Sequence, residues 1–389
     1  MKIAFVMPNT LPMPAVKGGA VENILQNYID LNENDGTQEI TVFCKHDIEA
    51  EYKSRNYKYT RFIYVSDQGK MNYFFRYILG AVNSISRYRT GNLYIRKVAN
   101  ILKKDLYDYI IVENAPYYLP VIYKKLKTLP VIHIHNDYTR GMKEIVDQYS
   151  FGIVCVSNYI KDCYSSFQIH NKAEVLFNCI NVSKFSFNTR DRDMIRNKYA
   201  IKSEELLFIY TGRIIRGKGI LEMIQAFSKA LKKRTNIKLL IVGGIGYSNN
   251  KVDDYLKECI ERAKENEASI IFTGYVNYND LPKYYSAADI GIIPSMLKEA
   301  APLSAIEMIA SGLPLIVNEI AGLREMASYG NSIFVKLERD YISSLAKAIL
   351  DIDIKERKEN RCNLDDFHTK CYKSKLENIL ERWLHNENS

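Results

Sequence analysis

The chain has 389 residues, 47% hydrophobic and 25% charged, with a formal net charge of +9. That apolar fraction excludes a disordered chain, and 10 prolines and 19 glycines without a period exclude a collagen-like or linker-like one. No apolar run approaches the roughly 20 residues of a membrane-spanning helix, and the stretch before Pro8 is too short for a signal-peptide core, so a soluble intracellular protein of two or three domains is expected.

The first element is a short apolar strand within Met1–Met7. It leads through Lys17-Gly18-Gly19-Ala20 into an amphipathic helix from Val21 to about Leu31. Strand-length apolar runs follow at Glu39–Phe43, Tyr109–Val112, Pro130–Ile134 and Gly152–Val156, separated by helical stretches. A polar, charged stretch from about Ser183 to Glu205 marks a boundary. The opening pattern then repeats: Leu206–Tyr210 runs into Gly212 and Gly217-Lys218-Gly219, and a second amphipathic helix starts at about Ile220. Further apolar runs lie at Lys238–Val242, Ser269–Phe272, Ile290–Ile293 and Leu315–Val317, and from about Asp340 the chain is helical and charged.

Near-continuous β-rich runs alternating with helices indicate parallel sheets covered on both faces. The expectation is an α/β protein of two doubly wound, Rossmann-like domains, residues 1–182 and 183–389, with the C-terminal helices packing back on the first. Open α/β sheets bind ligands outside the carboxyl ends of their strands. Two such domains facing one another would line a cleft with their glycine loops.

The excess charge is localised. Residues 51–105 hold twelve basic side chains, among them Arg76, Arg87 and Arg89, against Glu51, Asp67 and Asp105, and include Tyr73-Phe74-Phe75-Arg76-Tyr77. Basic residues interleaved with aromatics suit an anionic membrane surface, although a solvated basic face over a partly buried aromatic core has the same composition. No nucleic-acid motif accompanies the patch, so no nucleic-acid partner is expected. The seven cysteines form no C-x-x-C pair, which favours reduced thiols. The pair His133 and His135 lacks an H-E-x-x-H frame, so no metal site is expected.

Two motifs carry chemistry. In Gly212-Arg213-Ile214-Ile215-Arg216-Gly217-Lys218-Gly219, glycines at a strand end let backbone approach a ligand, the following helix offers free amides, and Arg213 and Lys218 add positive charge, which together suit a diphosphate. In Glu299-Ala300-Ala301-Pro302-Leu303-Ser304-Ala305-Ile306-Glu307, two carboxylates flank a helix start whose amides at Ala300, Ala301, Leu303 and Ser304 can face an anion. One carboxylate suits sugar hydroxyls and the other a ribose; ordinary surface acids are the plainer alternative.

The pairing of these motifs, followed by Ala310-Ser311-Gly312-Leu313-Pro314, resembles the retaining glycosyltransferases of family 4, of GT-B architecture. Phe272-Thr273-Gly274-Tyr275-Val276, Leu281–Asp289, Val175–Asn181 and Ala321–Glu325 resemble that family's segments in the same order. The resemblance is strong over residues 175–330 and weaker before them, where Gly18-Gly19 and His135-Asn136-Asp137 are the anchors.

The resemblance implies roles for particular residues. Arg213 and Lys218 would neutralise the donor diphosphate. Glu299 would contact the transferred sugar, and Glu307 would accept from the ribose. The amides at 300–304 would hold phosphate or sugar oxygens, Tyr275 and Val276 would lie near the base, and Gly212 would belong to the donor loop. Gly18 and Gly19 would close over the donor, and His135 would reach the sugar or acceptor. His133, within the strand, reads as a satisfied core histidine. Ala300 stands where that family usually has glycine, and Asn181 where it often has aspartate, which leaves donor identity open.

The implied reaction moves a sugar from a nucleotide sugar, UDP favoured, to the hydroxyl of a glycan or lipid-linked acceptor with retention, without cofactor or metal. The setting would be cytoplasmic, peripheral at the inner membrane face. A sugar-nucleotide epimerase and a non-catalytic scaffold subunit of the same architecture are the alternatives.

Overall fold

A computed structural model describes residues 1–66, 92–244, 253–352 and 364–387. They divide into two compact units, Met1–Cys179 with Thr369–Ser389, and Ile180–His368. The division thus falls after Cys179 rather than at residue 182, and the final helix belongs to the first unit.

The first unit holds strands β1 (Lys2–Val6), β2 (Glu39–Cys44), β3 (Thr60–Tyr64), β4 (Tyr109–Glu113), β5 (Val131–Ile134), β6 (Ile153–Cys155) and β7 (Ala173–Val175). They pair in parallel in the order β3-β2-β1-β4-β5-β6-β7. Ile3, Ala4, Val6, Val42, Val112, Ile132 and Val154 are fully buried, as two covered faces require. The last helix, Thr369–Glu387, is tied down by Lys373, whose buried ammonium donates to Asp35 Oδ2 at 2.6 Å, Thr37 Oγ1 at 2.7 Å and Asn32 Oδ1 at 3.1 Å. Trp383 fills the space above Gly152, where a Cβ would meet the indole at 2.8 Å.

The second unit holds β8 (Leu206–Thr211), β9 (Ile237–Val242), β10 (Ile270–Gly274), β11 (Ile290–Ile293), β12 (Leu315–Asn318) and β13 (Ser332–Val335), parallel in the order β10-β9-β8-β11-β12-β13. Helix Thr189–Lys198 is bound to the start of β11 through Asp289. Its carboxylate takes Arg192 at 2.7 Å and Arg196 at 3.2 Å, and accepts from Leu207 N at 2.8 Å. In both sheets the chain runs outward in one direction, then returns to build the other side. The reversal lies between β1 and β4 in one unit and between β8 and β11 in the other.

No described helix is long and apolar enough to cross a membrane. Of the basic segment, Lys53, Arg55, Lys58 and Arg61 lie on or beside helix Ile48–Ser54 and β3, and Arg96, Lys97, Lys103 and Lys104 on or beside helix Leu93–Leu102. Lys70, Arg76, Arg87, Arg89 and the aromatic run 73–77 lie outside the described residues, as does Cys362. The six described cysteines are thiols.

Candidate functional site

The second unit places both motifs at its strand-order reversal, where α/β sheets take ligands. The first motif leaves β8 at Gly212, whose amide donates to Val242 O at 3.0 Å. Arg213 is exposed, and its carbonyl accepts from Tyr210 OH at 2.8 Å. Arg216 is drawn to surface Glu258 at 2.9 Å, whereas Lys218 is half-buried. Gly219 caps helix Ile220–Leu231 at φ 72, and a Cβ there would lie 2.0 Å from Pro294 O. Only glycine permits that approach.

The second motif follows β11. Its loop is anchored along its length. Met296 N donates to Gly217 O at 2.8 Å, Asn318 Nδ2 to Pro294 O at 2.8 Å and Ser295 O at 3.0 Å, and Gly322 N to Glu299 O at 2.9 Å. A Cβ on Gly322 would stand 1.7 Å from Ala300 O, which explains the downstream glycine. The two loops therefore form one packed body.

Lys218 and Glu299, 81 residues apart, meet in it: Lys218 Nζ is bonded to Glu299 Oε1. Ser295 Oγ donates to the same oxygen at 2.7 Å. Ala300 is buried, and Ala301, Leu303 and Ser304 are half-buried around the start of helix Leu303–Ala310. The first amides of that helix have no intrahelical acceptor and suit an anion.

Glu307, on the same helix, is 3% exposed. Tyr285 OH donates to its Oε2 at 2.9 Å. Since a phenol has one proton, Tyr285 accepts from Thr211 Oγ1 at 2.7 Å, giving a chain from Thr211 through Tyr285 to Glu307. Burial, outweighing the bonds from Tyr285 and Tyr278, pushes Glu307 up to about 7. Tyr275 and Val276 are half-buried just past the carboxyl end of β10, after Gly274 at φ 73.

In the first unit, Gly18 and Gly19 close the loop after β1 at φ 72 and 107 and open helix Ala20–Asp35. A Cβ on Gly19 would meet the Glu22 carboxyl at 2.2 Å. Glu22 is itself buried, and burial with the nearby Glu113 raises it to about 7 against a bond from its own amide. His135 follows β5, and its Nε2 lies 3.0 Å from Glu113 Oε2 at the end of β4. His133 Nδ1 lies 3.1 Å from the same oxygen, and the two histidine nitrogens are 3.1 Å apart. His133 is in the core, as expected, but it is not satisfied: its Nε2 is buried without a partner. The ligating atoms of Glu113, His133 and His135 all lie within 4.8 Å of one another, so this buried trio is able to hold a divalent ion. Sequence reasoning passed over Glu113, Glu22, Ser295 and the Thr211–Tyr285 pair. Glu113 had a signal in the apolar run that ends on it, since a carboxylate at the end of a core strand needs a partner.

Residues 191–364 match the family model of glycosyl transferases, group 1. That match covers somewhat less than half of the chain. Over nearly its whole length the chain is also similar to spore coat protein SA of Bacillus subtilis strain 168, at 21% identity over 93% of this chain and 92% of that one. A lipopolysaccharide 1,2-N-acetylglucosaminetransferase of Salmonella typhimurium is 28% identical over 51% of each chain, so the glycosyl transferase match spans half of that relative. Among solved structures, Anabaena HepE in complex with UDP superimposes with a TM-score of 0.76 over 98% of this chain and 100% of that one at 15% identity. That likeness shows the fold, which is of GT-B type.

Proposed function

We propose that the protein is a retaining glycosyltransferase that moves a sugar from a nucleoside diphosphate sugar, UDP-sugar first, to an acceptor hydroxyl of a surface glycan or lipid-linked glycan. The observation that carries this is the Lys218–Glu299 pair at the β8/β11 reversal, with Glu307 buried one helix turn beyond. A cation, a helix start and two carboxylates of unequal exposure match the parts of a nucleotide sugar. UDP is favoured because HepE was solved with UDP, and a surface-glycan acceptor because of the lipopolysaccharide transferase.

In this reading the diphosphate takes Lys218 from Glu299. Lys218, Arg213 and the amides at Leu303 and Ser304 then stabilise the charge that grows on the departing nucleotide. Glu299, released, turns to hydroxyls of the transferred sugar. Glu307, ionised, accepts from the ribose hydroxyls. The acceptor attacks on the face the nucleotide leaves, and a donor phosphate oxygen takes its proton, so no enzymic nucleophile is required. The positive charge comes from side chains and backbone without a divalent ion. We assign the basic segment 51–105 to an anionic membrane surface carrying the acceptor; unchanged vesicle binding after neutralising Arg76, Arg87 and Arg89 would overturn that assignment.

The test is UDP release from UDP-sugars with and without candidate acceptors, with the anomeric configuration of the product read by NMR. Retention without added metal is expected. An inverted product, or activity abolished by chelator and restored by manganese, overturns the mechanism.

A further inference from the structure

Three ligating atoms meet in the first unit: Glu113 Oε2, His135 Nε2 and His133 Nδ1, with separations of 3.0, 3.1 and 3.1 Å. Hydrogen bonds alone do not satisfy this triangle. A carboxylate presents only lone pairs, and an imidazole nitrogen carries either a proton or a lone pair, never both. If both facing nitrogens are protonated, the two rings set donor against donor. If either is not, its lone pair faces a lone pair of Glu113. One short contact is therefore unfavourable in every arrangement around a carboxylate. The side chains of Glu113, His133 and His135, at 3%, 3% and 7% exposed, are too buried for water to relieve it. A cation removes the conflict, because it accepts a lone pair from all three.

We infer that Glu113, His133 and His135 form a binding site for one divalent transition-metal ion, zinc first. Zinc holds imidazole nitrogen and carboxylate oxygen at about 2.0–2.2 Å, which sets ligand atoms about 2.9 Å apart on an octahedral face and about 3.4 Å apart on a tetrahedral one. The observed triangle lies between the two. Two nitrogens with one oxygen suit zinc better than magnesium or calcium, which take oxygen ligands. The local fold holds the ligands ready. Glu113 ends β4 and is the register partner of His133 on β5. Asn114 ties the two strand ends together: its amide donates to His133 O at 2.8 Å, and its Oδ1 accepts from His135 N at 3.0 Å. A second buried carboxyl, Glu22, lies near enough to repel Glu113, and that local negative charge favours a cation. His133 Nε2, buried without a partner, then carries the ring's proton, a cost that ligation at Nδ1 offsets. All three ligands come from the first unit, so the site needs nothing from the second and does not rest on the glycosyl-transfer reading.

The experiment is elemental analysis of the full chain after stripping with chelator, loading with zinc or cobalt and gel filtration, for the wild type, Glu113→Gln and His135→Ala. The wild type should hold one ion per chain. Outer partners of metal ligands alone are worth about 10- to 100-fold, so each variant should bind at least about 100-fold more weakly. Zinc should raise the melting temperature of the wild type and of neither variant. The wild type decides alone where a variant does not fold: its cobalt form should show two hyperfine-shifted imidazole N–H protons and no thiolate charge-transfer band. Such a band, a wild type that takes up no ion, or zinc kept undiminished by folded variants overturns the inference. Manganese, the weakest binder of the divalent series, should not replace zinc here, which separates this ion from a manganese-dependent reaction. A zinc-loaded chain that binds no nucleotide upholds the site and refutes the glycosyl-transfer reading. Nucleotide-sugar turnover by a chain that takes up no ion does the reverse.

Discussion

Replacing Glu307 with glutamine should change stability in a strongly pH-dependent way. Burial raises this carboxyl from its ordinary 4.5 to about 7. A folded-state value above the unfolded one means that the protonated form is the stabilised one. The contribution is fully present below about pH 4.5 and is lost as pH rises through about 7. Integrating that linkage between pH 5 and pH 8.5 gives a loss of about 2–3 kcal/mol in the wild type that the glutamine variant does not share. Any constant cost of seating the amide beside Tyr285 cancels when the two pH values are compared within each protein. For a unit of this size such a loss corresponds to about 5–10 °C in melting temperature. Melting curves of both proteins at the two pH values, followed in the second unit, measure the difference directly. Parallel pH dependence in the two proteins would refute the claim that Glu307 is ionised at a cost in the folded state. That cost is what a site built to accept two ribose hydroxyls should carry, and bound nucleotide should offset it.

Other substitutions probe the same loops. Glu299→Gln should free Lys218, so UDP should bind at least as tightly while kcat on UDP-sugars falls about 100-fold; weaker UDP binding with kcat intact in steady-state kinetics would reverse those roles. Lys218→Ala should weaken UDP about 10- to 100-fold, read by calorimetry, and equal affinity would remove the diphosphate from this loop. Gly322→Ala, whose Cβ would stand 1.7 Å from Ala300 O, should cost about 2–4 kcal/mol and displace the Glu299 loop, measured by denaturant unfolding. Asp289→Asn, which leaves Arg192 and Arg196 without their carboxylate, should cost about 3–5 kcal/mol in the same assay without altering UDP affinity in what remains folded.

Much of the fold was legible because the central strands are apolar on both faces. The apolar runs at residues 39–43, 109–112, 206–210, 238–242 and 290–293 fall on β2, β4, β8, β9 and β11. The strands that were passed over, β3, β7 and β13, all lie at sheet edges. There one flank is solvated, and residues such as Arg61, Glu174 and Phe334 are partly or fully exposed, which breaks the apolar run. In the second unit the candidate site residues stand out as motifs because each loop is contiguous in sequence. Their pairing was not, because Lys218 meets Glu299 only through the glycine contacts that pack the two loops together. Glu113 was hidden for a related reason. Its proximity to His133 and His135, 20 and 22 residues away, is set by the register of β4 on β5, which no local pattern encodes.

The central claim is a nucleotide-sugar site in the second unit, and calorimetric titration of the full chain with UDP, GDP and dTDP tests it most directly, with Lys218→Ala in parallel. One nucleotide, UDP first, should bind at a single site without added metal and weaken at least about tenfold in the variant. No binding of any of the three at millimolar concentration, or binding that Lys218→Ala leaves unchanged, would contradict it.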